Sequence, residues 1–310
     1  MAKPRSAVTD YAVYLVVRCF VCVLQALPFP IALRLGEVLA WLAYQFDRRH
    51  REVARDNLLH AFPELRSRPA ECDRLVRGCY RHFCTMLVEM MFLPRKLRVG
   101  NWRRWGSLRG GDKVIGGLLS HRPLLIVTGH FGNWEMAGYL LGALGFRTYA
   151  IARVLDNPHL ERFLKRFRQN TGQAILAKKG DFDNIAAVLG GGGKLATLGD
   201  QDAGPRGLFV NFFNRPASTH KAVALMALQF EVPMAVVGVP RVGRPMRYEV
   251  VVEDVIYPED YARSPDAARA ITERYTRALE RLVRQYPEQY FWLHRRWKHQ
   301  PAAKKTRQAA

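Results

Sequence analysis

A chain of 310 residues that is 49% apolar and 24% charged can bury a substantial core, which excludes a disordered or low-complexity polymer. Its 48 lysines and arginines against 27 acidic residues leave a formal charge of +21, so the expected partner is anionic: nucleic acid, a membrane surface or an acidic soluble molecule. The charge is spread through the chain and alternates with apolar segments near the start, which favours an anionic membrane surface or acidic substrate and argues against nucleic acid.

Residues 11 to 27 form a strongly apolar run that carries Arg18 and Gln25. Pro28 and Pro30 interrupt it, and Ile31 to Phe46 read as a second apolar helix containing Arg34 and Glu37. Neither run offers 20 uninterrupted apolar residues, so the pattern fits one marginal span or a helical hairpin lying in the interface, with arginines reaching toward lipid phosphates. No small-x-small cleavage site precedes the prolines, which argues against a cleaved signal peptide. The basic stretch Asp47 to Arg55 follows at once and suits cytoplasmic anionic headgroups. Five cysteines, at 19, 22, 72, 79 and 84, form no even framework. Cys19 and Cys22 have the gap of a zinc knuckle but no second pair, so core or lipid-facing thiols and a reducing compartment are expected.

The remainder alternates between helix and strand. A long helix is predicted over 70–93, ended by Pro94, and another over 107–120. Apolar strands follow at 123–128, 147–152, 194–198, 234–238 and 248–252, with helices near 134–144, 157–170, 181–190, 217–230 and 265–286. Apolar strands separated by helices predict an α/β fold with a mixed, mostly parallel sheet flanked by helices. The division expected is 1–50 as a membrane-associating helical segment, 51–300 as one catalytic domain, and 301–310 as a short disordered tail.

His130 comes directly after the first apolar strand and Gly129, and the loop Phe131-Gly132-Asn133 leads into the helix near Trp134. Ligands of open α/β sheets sit outside the carboxyl ends of the strands, where this loop lies. A neutral imidazole there can accept a proton, provided a carboxylate orients its other nitrogen, and Glu135 is close enough in sequence to fold back onto it. Gly129 and Gly132 permit tight backbone approach to a bound group. On spacing alone, a histidine packed in a strand-end turn accounts for these residues equally well.

The string Gly129-His-Phe-Gly-Asn-Trp-Glu135 resembles the signature of the bacterial lipid A late acyltransferases, the lauroyl/myristoyl transferase group of the glycerophospholipid acyltransferase-like superfamily. Other blocks agree in order: Asn57-Leu58 with Ala61-Phe-Pro-Glu64; Arg153 with Asn157-Pro-His-Leu160; Asp200-Gln-Asp202 with Gly204 and Phe212-Phe213; and Pro287 to Lys298 with Trp292 and Arg295-Arg296-Trp297. The resemblance covers most of residues 50 to 298. It implies membrane association on the cytoplasmic side of the inner membrane, and transfer of an acyl chain from a thioester on acyl carrier protein or coenzyme A to a phosphorylated glycolipid. It also implies His130 as general base, Glu135 as its partner and Arg153 on a substrate phosphate. Asn133, Asp200, Asp202, Arg295 and Arg296 complete the expected substrate-binding set, with no metal and no cofactor. One departure is Asn214, where the family commonly has glycine after the paired phenylalanines.

Asp200 and Asp202 also have the form of the Asp-x-Asp pair that holds a divalent cation in metal-dependent glycosyltransferases. No further acidic ligands cluster in the sequence, so a structural and substrate-orienting role is preferred. Gly190 to Gly193 before Lys194 fails as a phosphate loop, because Val188 replaces the first glycine and Leu195 the hydroxyl residue. Lys178, Lys179 and Lys194 are candidates for a phosphate-attracting surface. The basic, aromatic helix around Leu160 to Arg168 suits anionic lipid or an acidic carrier protein. Absence of a serine or cysteine in the motif disfavours an acyl-enzyme. A catalytically silent, basic membrane-binding protein is the non-enzymatic alternative.

Overall fold

The computed structural model describes residues 6–169, 172–177 and 180–301. Lys178, Lys179 and residues 302–310 of the expected tail lie outside the described residues. The chain opens with α1 (Ala7–Ala26) and α2 (Phe29–Phe46), separated at Pro28 as the missing proline donor requires. Then come α3 (Arg48–Ala61) and the long α4 (Pro69–Lys96). Pro94 does not end α4: the helix runs to Lys96, since a proline in the last turn disturbs only one hydrogen bond there.

The sheet begins with β1 (Gly106–Arg109), a strand inside a stretch expected to be all helix, followed by the shorter α5 (Asp112–Leu119). Next are β2 (Leu124–Thr128), α6 (Trp134–Ala143), β3 (Thr148–Ala152), α7 (Pro158–Gln169) and β4 (Gln173–Ala177), a strand the pattern does not announce. The chain continues through α8 (Phe182–Gly190), β5 (Lys194–Leu198), the hairpin β6 (Leu208–Phe212) and β7 (Arg215–Thr219), and α9 (Ala222–Gln229). It finishes with β8 (Met234–Gly238), β9 (Tyr248–Ile256) and α10 (Ala267–Gln285). The helix expected from 217 starts only at Ala222, because 215–219 are taken by β7.

Among the described residues the main sheet has the order β1-β9-β8-β2-β5-β3-β4, parallel throughout except for the β8/β9 pair. The mixed, mostly parallel α/β fold expected from sequence is what forms. In β6–β7 the register pairs Phe212 with Arg215, leaving Phe213 and Asn214 as a two-residue turn with φ of +50° and +58°. Asparagine tolerates this left-handed region better than most residues, so Asn214 fits the turn. Lys194 is buried and donates to the carbonyls of Ser120 and Arg122 at 2.9 and 2.6 Å. It closes the amino end of β5, and is not part of a phosphate-attracting surface.

Two features outside the sheet matter for the site. Asn57 of α3 donates to the carbonyls of Trp292 and His294 at 2.7 and 2.9 Å, tying the amino-terminal block to the carboxyl-terminal one. On α4, fully buried Glu89 is held by Arg241 and by the Met246 amide (2.6 Å), with the Tyr248 hydroxyl on the same carboxylate. Arg241 also donates to His82 Nδ1 at 3.1 Å, and His82 Nε2 faces the Gly132 carbonyl at 3.1 Å. Burial and the Arg241 charge push His82 down to about 3, so it is neutral, with its proton directed at the carbonyl.

α1 is inside out for a soluble helix. Asp10 and Gln25 face the protein: Gln25 donates to the Met91 carbonyl at 2.9 Å, and buried Asp10 accepts from Asn157 at its backbone carbonyl, at 2.8 Å. Its exposed face carries Val8, Val16 and Val23, and α2 adds Trp41 and Phe46. α1 alone among the described helices is long and apolar enough to cross a membrane. Gly36 lets α2 approach α4, where a β-carbon would lie 2.9 Å from Val88. Cys19 and Cys22 are exposed on the apolar α1, whereas Cys72 and Cys79 are buried.

Replacing Arg241 with methionine leaves Glu89 buried without its cation. The expected loss is about 3–5 kcal/mol of unfolding free energy, measurable by denaturant titration in detergent; an unchanged midpoint would show that the pair carries no such weight.

Candidate active site

β2 and β5 are parallel neighbours whose register pairs Leu124 with Lys194 and continues in step to Thr128 with Leu198. Two residues beyond those ends, the same offset brings His130 opposite Asp200. The Asp200 carboxylate accepts from the His130 backbone N–H through Oδ2 and from the imidazole Nδ1 through Oδ1, both at 2.8 Å. Gly129 is needed for this approach, since a β-carbon there would sit 3.1 Å from Asp200 Cγ. Asp200 is almost completely buried while the His130 side chain stays 20% exposed. The carboxylate is therefore fixed in the protein and the imidazole edge opens outward.

Pairing with Asp200 assigns the neutral-ring proton to Nδ1 and leaves Nε2 as the base. Nε2 accepts from the Gln201 side-chain amide at 3.3 Å. Burial alone would lower the His130 pKa, but the charge of Asp200, its hydrogen bond and the charge of Glu135 together hold it above the ordinary imidazole value. Burial conversely favours protonated Asp200, and the attraction and hydrogen bonds of His130, with the charge of Arg296, keep it below the usual carboxylate range.

The loop is anchored through its backbone. The His130 carbonyl accepts from Phe291 N–H at 3.0 Å, Gly132 N–H donates to Gln289 O at 2.9 Å, and Asn133 N–H donates to Val239 O at 2.8 Å. Gly132 has φ of +59°, and a β-carbon there would lie 2.0 Å from the Val239 carbonyl oxygen. The rings of Trp134 and Phe291 flank the imidazole at 5.0 and 6.1 Å, and Phe83 packs against both.

Several expected roles change here. Glu135, expected to orient His130, is instead paired with Arg168 of α7, with Nε at 3.0 Å from its carboxylate. It lies in the first turn of α6, where the helical geometry turns its side chain toward α7, and it influences His130 only through its charge. Asn133 is buried and caps α6, accepting from Met136 N–H at 3.0 Å, which shapes the loop. Asp202 is paired with His299 at 2.7 Å and accepts from Gly204 N–H at 3.1 Å. The two carboxylates of the Asp-x-Asp pair are thus engaged by different histidines.

Arg296 is buried and donates to Ser218 O and Thr219 Oγ1 at 2.5 and 2.6 Å, bracing β7 and placing its charge near Asp200. Its neighbour Arg295 is exposed. Arg153 follows β3 at the same sheet edge as His130, but its side chain is 79% exposed and pairs with Asp156 at 3.2 Å. Gln201, His82 and the Glu89–Arg241 pair are site residues that sequence reading missed. The seven-residue interval between His82 and Glu89 on one helix face was the available signal.

Asp200→Asn removes the charge that holds the His130 proton. The His130 titration followed by NMR is expected to move to lower pH, and a titration unmoved from that of the parent protein would contradict the pairing.

The model of the family described as bacterial lipid A biosynthesis acyltransferase matches residues 1–299. The lipid A biosynthesis palmitoleoyltransferase of Escherichia coli (strain K12) is 26% identical over 285 residues, covering 90% of this chain and 89% of the relative. The lipid A biosynthesis lauroyltransferase of the same organism is 26% identical over 283 residues, covering 89% and 88%. Among solved structures, the 1-acyl-sn-glycerophosphate acyltransferase from Thermotoga maritima aligns with a TM-score of 0.38 and 14% identity, over 82% of this chain and 98% of that one. With a family match running from Met1 through the sheet, the His130 loop and the carboxyl-terminal block, the chain belongs to the bacterial lipid A biosynthesis acyltransferase family.

Proposed function

We propose that this protein transfers a fatty acyl chain from an acyl thioester to a hydroxyl of a lipid A precursor or related phosphorylated glycolipid. The site works at the cytoplasmic side of the inner membrane, with acyl carrier protein as the preferred donor and acyl-CoA as the other. The observation that carries this reading is the His130–Asp200 pair, with Nδ1 of a partly exposed imidazole committed to a buried carboxylate and Nε2 meeting only the Gln201 amide among the described residues.

In the proposed reaction the acceptor hydroxyl displaces the Gln201 amide from Nε2 and gives its proton to His130 as its oxygen attacks the thioester carbonyl. The C–O bond forms as the carbonyl becomes a tetrahedral oxyanion. Collapse breaks the C–S bond, and the imidazolium returns the proton to the departing thiolate, giving ester and thiol. Asp200 fixes the ring and steadies the imidazolium, and Glu135 adds negative charge nearby. Arg153 remains a candidate for a substrate phosphate, being exposed at the sheet edge that carries His130. Arg295 is exposed and free to serve likewise, whereas Arg296 and Asp202 act as braces.

The two E. coli relatives are named for different acyl chains, and fatty acyl transfer is what the two names share. His130→Ala is expected to fold with a parental melting temperature and lose about 10²–10⁴ in turnover. Parental turnover by the folded variant would rule the mechanism out. Because the base must be neutral, kcat/KM should rise with pH through the His130 pKa, with its acid limb above the ordinary imidazole value of 6.5. A limb below that value would contradict the assignment.

A further inference from the structure

Arg18 sits in the middle of the apolar α1, where an ionisable side chain is costly beside lipid and usually marks a function or a partner. Its guanidinium lies over the Phe163 ring of α7, 4.8 Å from the centroid. Between α1, α4 and α7 runs a groove of about 760 Å³, within the size range of sites that hold a ligand. Leu87 and Met90 of α4, Val21 of α1, and Phe163 and Phe167 of α7 line its apolar part, and Arg18, Arg162 and Arg166 its basic part. Among the described residues, none of these three arginines is in an ion pair with a carboxylate. The groove therefore combines apolar walls with uncompensated positive charge, the complement of an anionic amphiphile.

Two of its walls connect to the His130 site through packing. Phe83, one helical turn before Leu87, packs against Trp134, whose ring is 5.0 Å from the imidazole. Phe167 precedes Arg168, which holds Glu135. The α1 wall is fastened to α7 by Asn157 on the Asp10 carbonyl and by His159 against the rings of Tyr11 and Tyr14, at 5.2 and 5.7 Å. The outer face of α1 is apolar, so the groove lies beside the bilayer. A thioester donor on a carrier protein or coenzyme arrives from water, whereas a glycolipid acceptor is already in that bilayer.

We infer that α1 is a wall of the acceptor site: the groove holds acyl chains of the phosphate-bearing glycolipid, whose phosphate lies against Arg18, Arg162 and Arg166. This rests on the acyl-transfer reading above. It makes the amino-terminal helix part of substrate selection as well as a membrane attachment.

The test uses the full chain in phosphatidylcholine nanodiscs, an acyl-carrier thioester, and a phosphorylated lipid A precursor or the same lipid with its phosphates removed. The Arg18→Gln, Arg162→Gln, Arg166→Gln triple variant is expected to raise the acceptor KM at least tenfold. The donor KM should stay within about twofold, and the preference for the phosphorylated acceptor should disappear. Arg→Lys at the same three positions keeps the charge and should recover most of the loss, which separates phosphate binding from misfolding.

An unchanged acceptor KM would overturn the inference, as would a shift confined to the donor KM or a loss explained by release from nanodiscs in a flotation assay. A fluorescent phosphorylated acceptor bound to His130→Ala protein supplies a readout without turnover. Binding weakened by the arginine substitutions, in a parent protein that transfers no acyl chain, would refute the catalytic reading and keep the groove; binding indifferent to them would refute the groove alone.

Discussion

The parallel pairing of β2 with β5 is the constraint on which the site depends. Its register is constant along five residue pairs, and strand geometry carries it past both carboxyl ends, where His130 meets Asp200. Neither residue could be moved by one position without turning its side chain to the other face of the sheet, because side chains alternate along a strand. The pair also lies where open α/β sheets place their ligands, at the carboxyl edge of central strands. The acid-base geometry is therefore a product of the sheet, with the short loop supplying only the histidine.

That loop departs from regular structure and is held from below. Gly132 adopts a left-handed φ against the Val239 carbonyl, and its own carbonyl faces His82. His82 in turn contacts Arg241, which neutralises Glu89 in the core of the protein. A buried ion pair is a poor source of net stability, because desolvation offsets the attraction. Here it fixes the helix α4 and the segment 241–248 against each other beneath the loop, a gain in position more than in stability. Asn57 and Arg296 do the same for the carboxyl-terminal block, one through backbone carbonyls and the other through β7.

The basic charge has several uses. Some arginines are spent internally, as with Arg296, Arg241 and Arg168, and their cost of burial is met by carboxylates or carbonyls. Others stand beside apolar surface without a carboxylate partner among the described residues, as in the groove under α1. An apolar helix whose Asp10 and Gln25 point into the protein presents lipid with the surface lipid prefers, and family membership agrees with membrane association. The reaction proposed for His130 needs that location, since its acceptor is itself a lipid.

Sequence alone settled the elements whose signal is local. The strand before His130, the strands at 194–198 and 234–238, the helix breaks at Pro28 and the apolar character of α1 all follow from hydrophobic runs and from proline's missing donor. Motif order along the chain was enough to indicate the family. Strands β1, β4, β6 and β7 escaped notice because they are short, partly exposed edge or hairpin strands, whose pairing partners, and not their own pattern, make them strands. The same limit explains the histidine's partner. Glu135 is five residues away and Asp200 is seventy, and sequence proximity favours the first. Only the tertiary fold, through the β2–β5 register, decides that the distant carboxylate is the one within hydrogen-bond reach, while a helical turn directs the near one to Arg168.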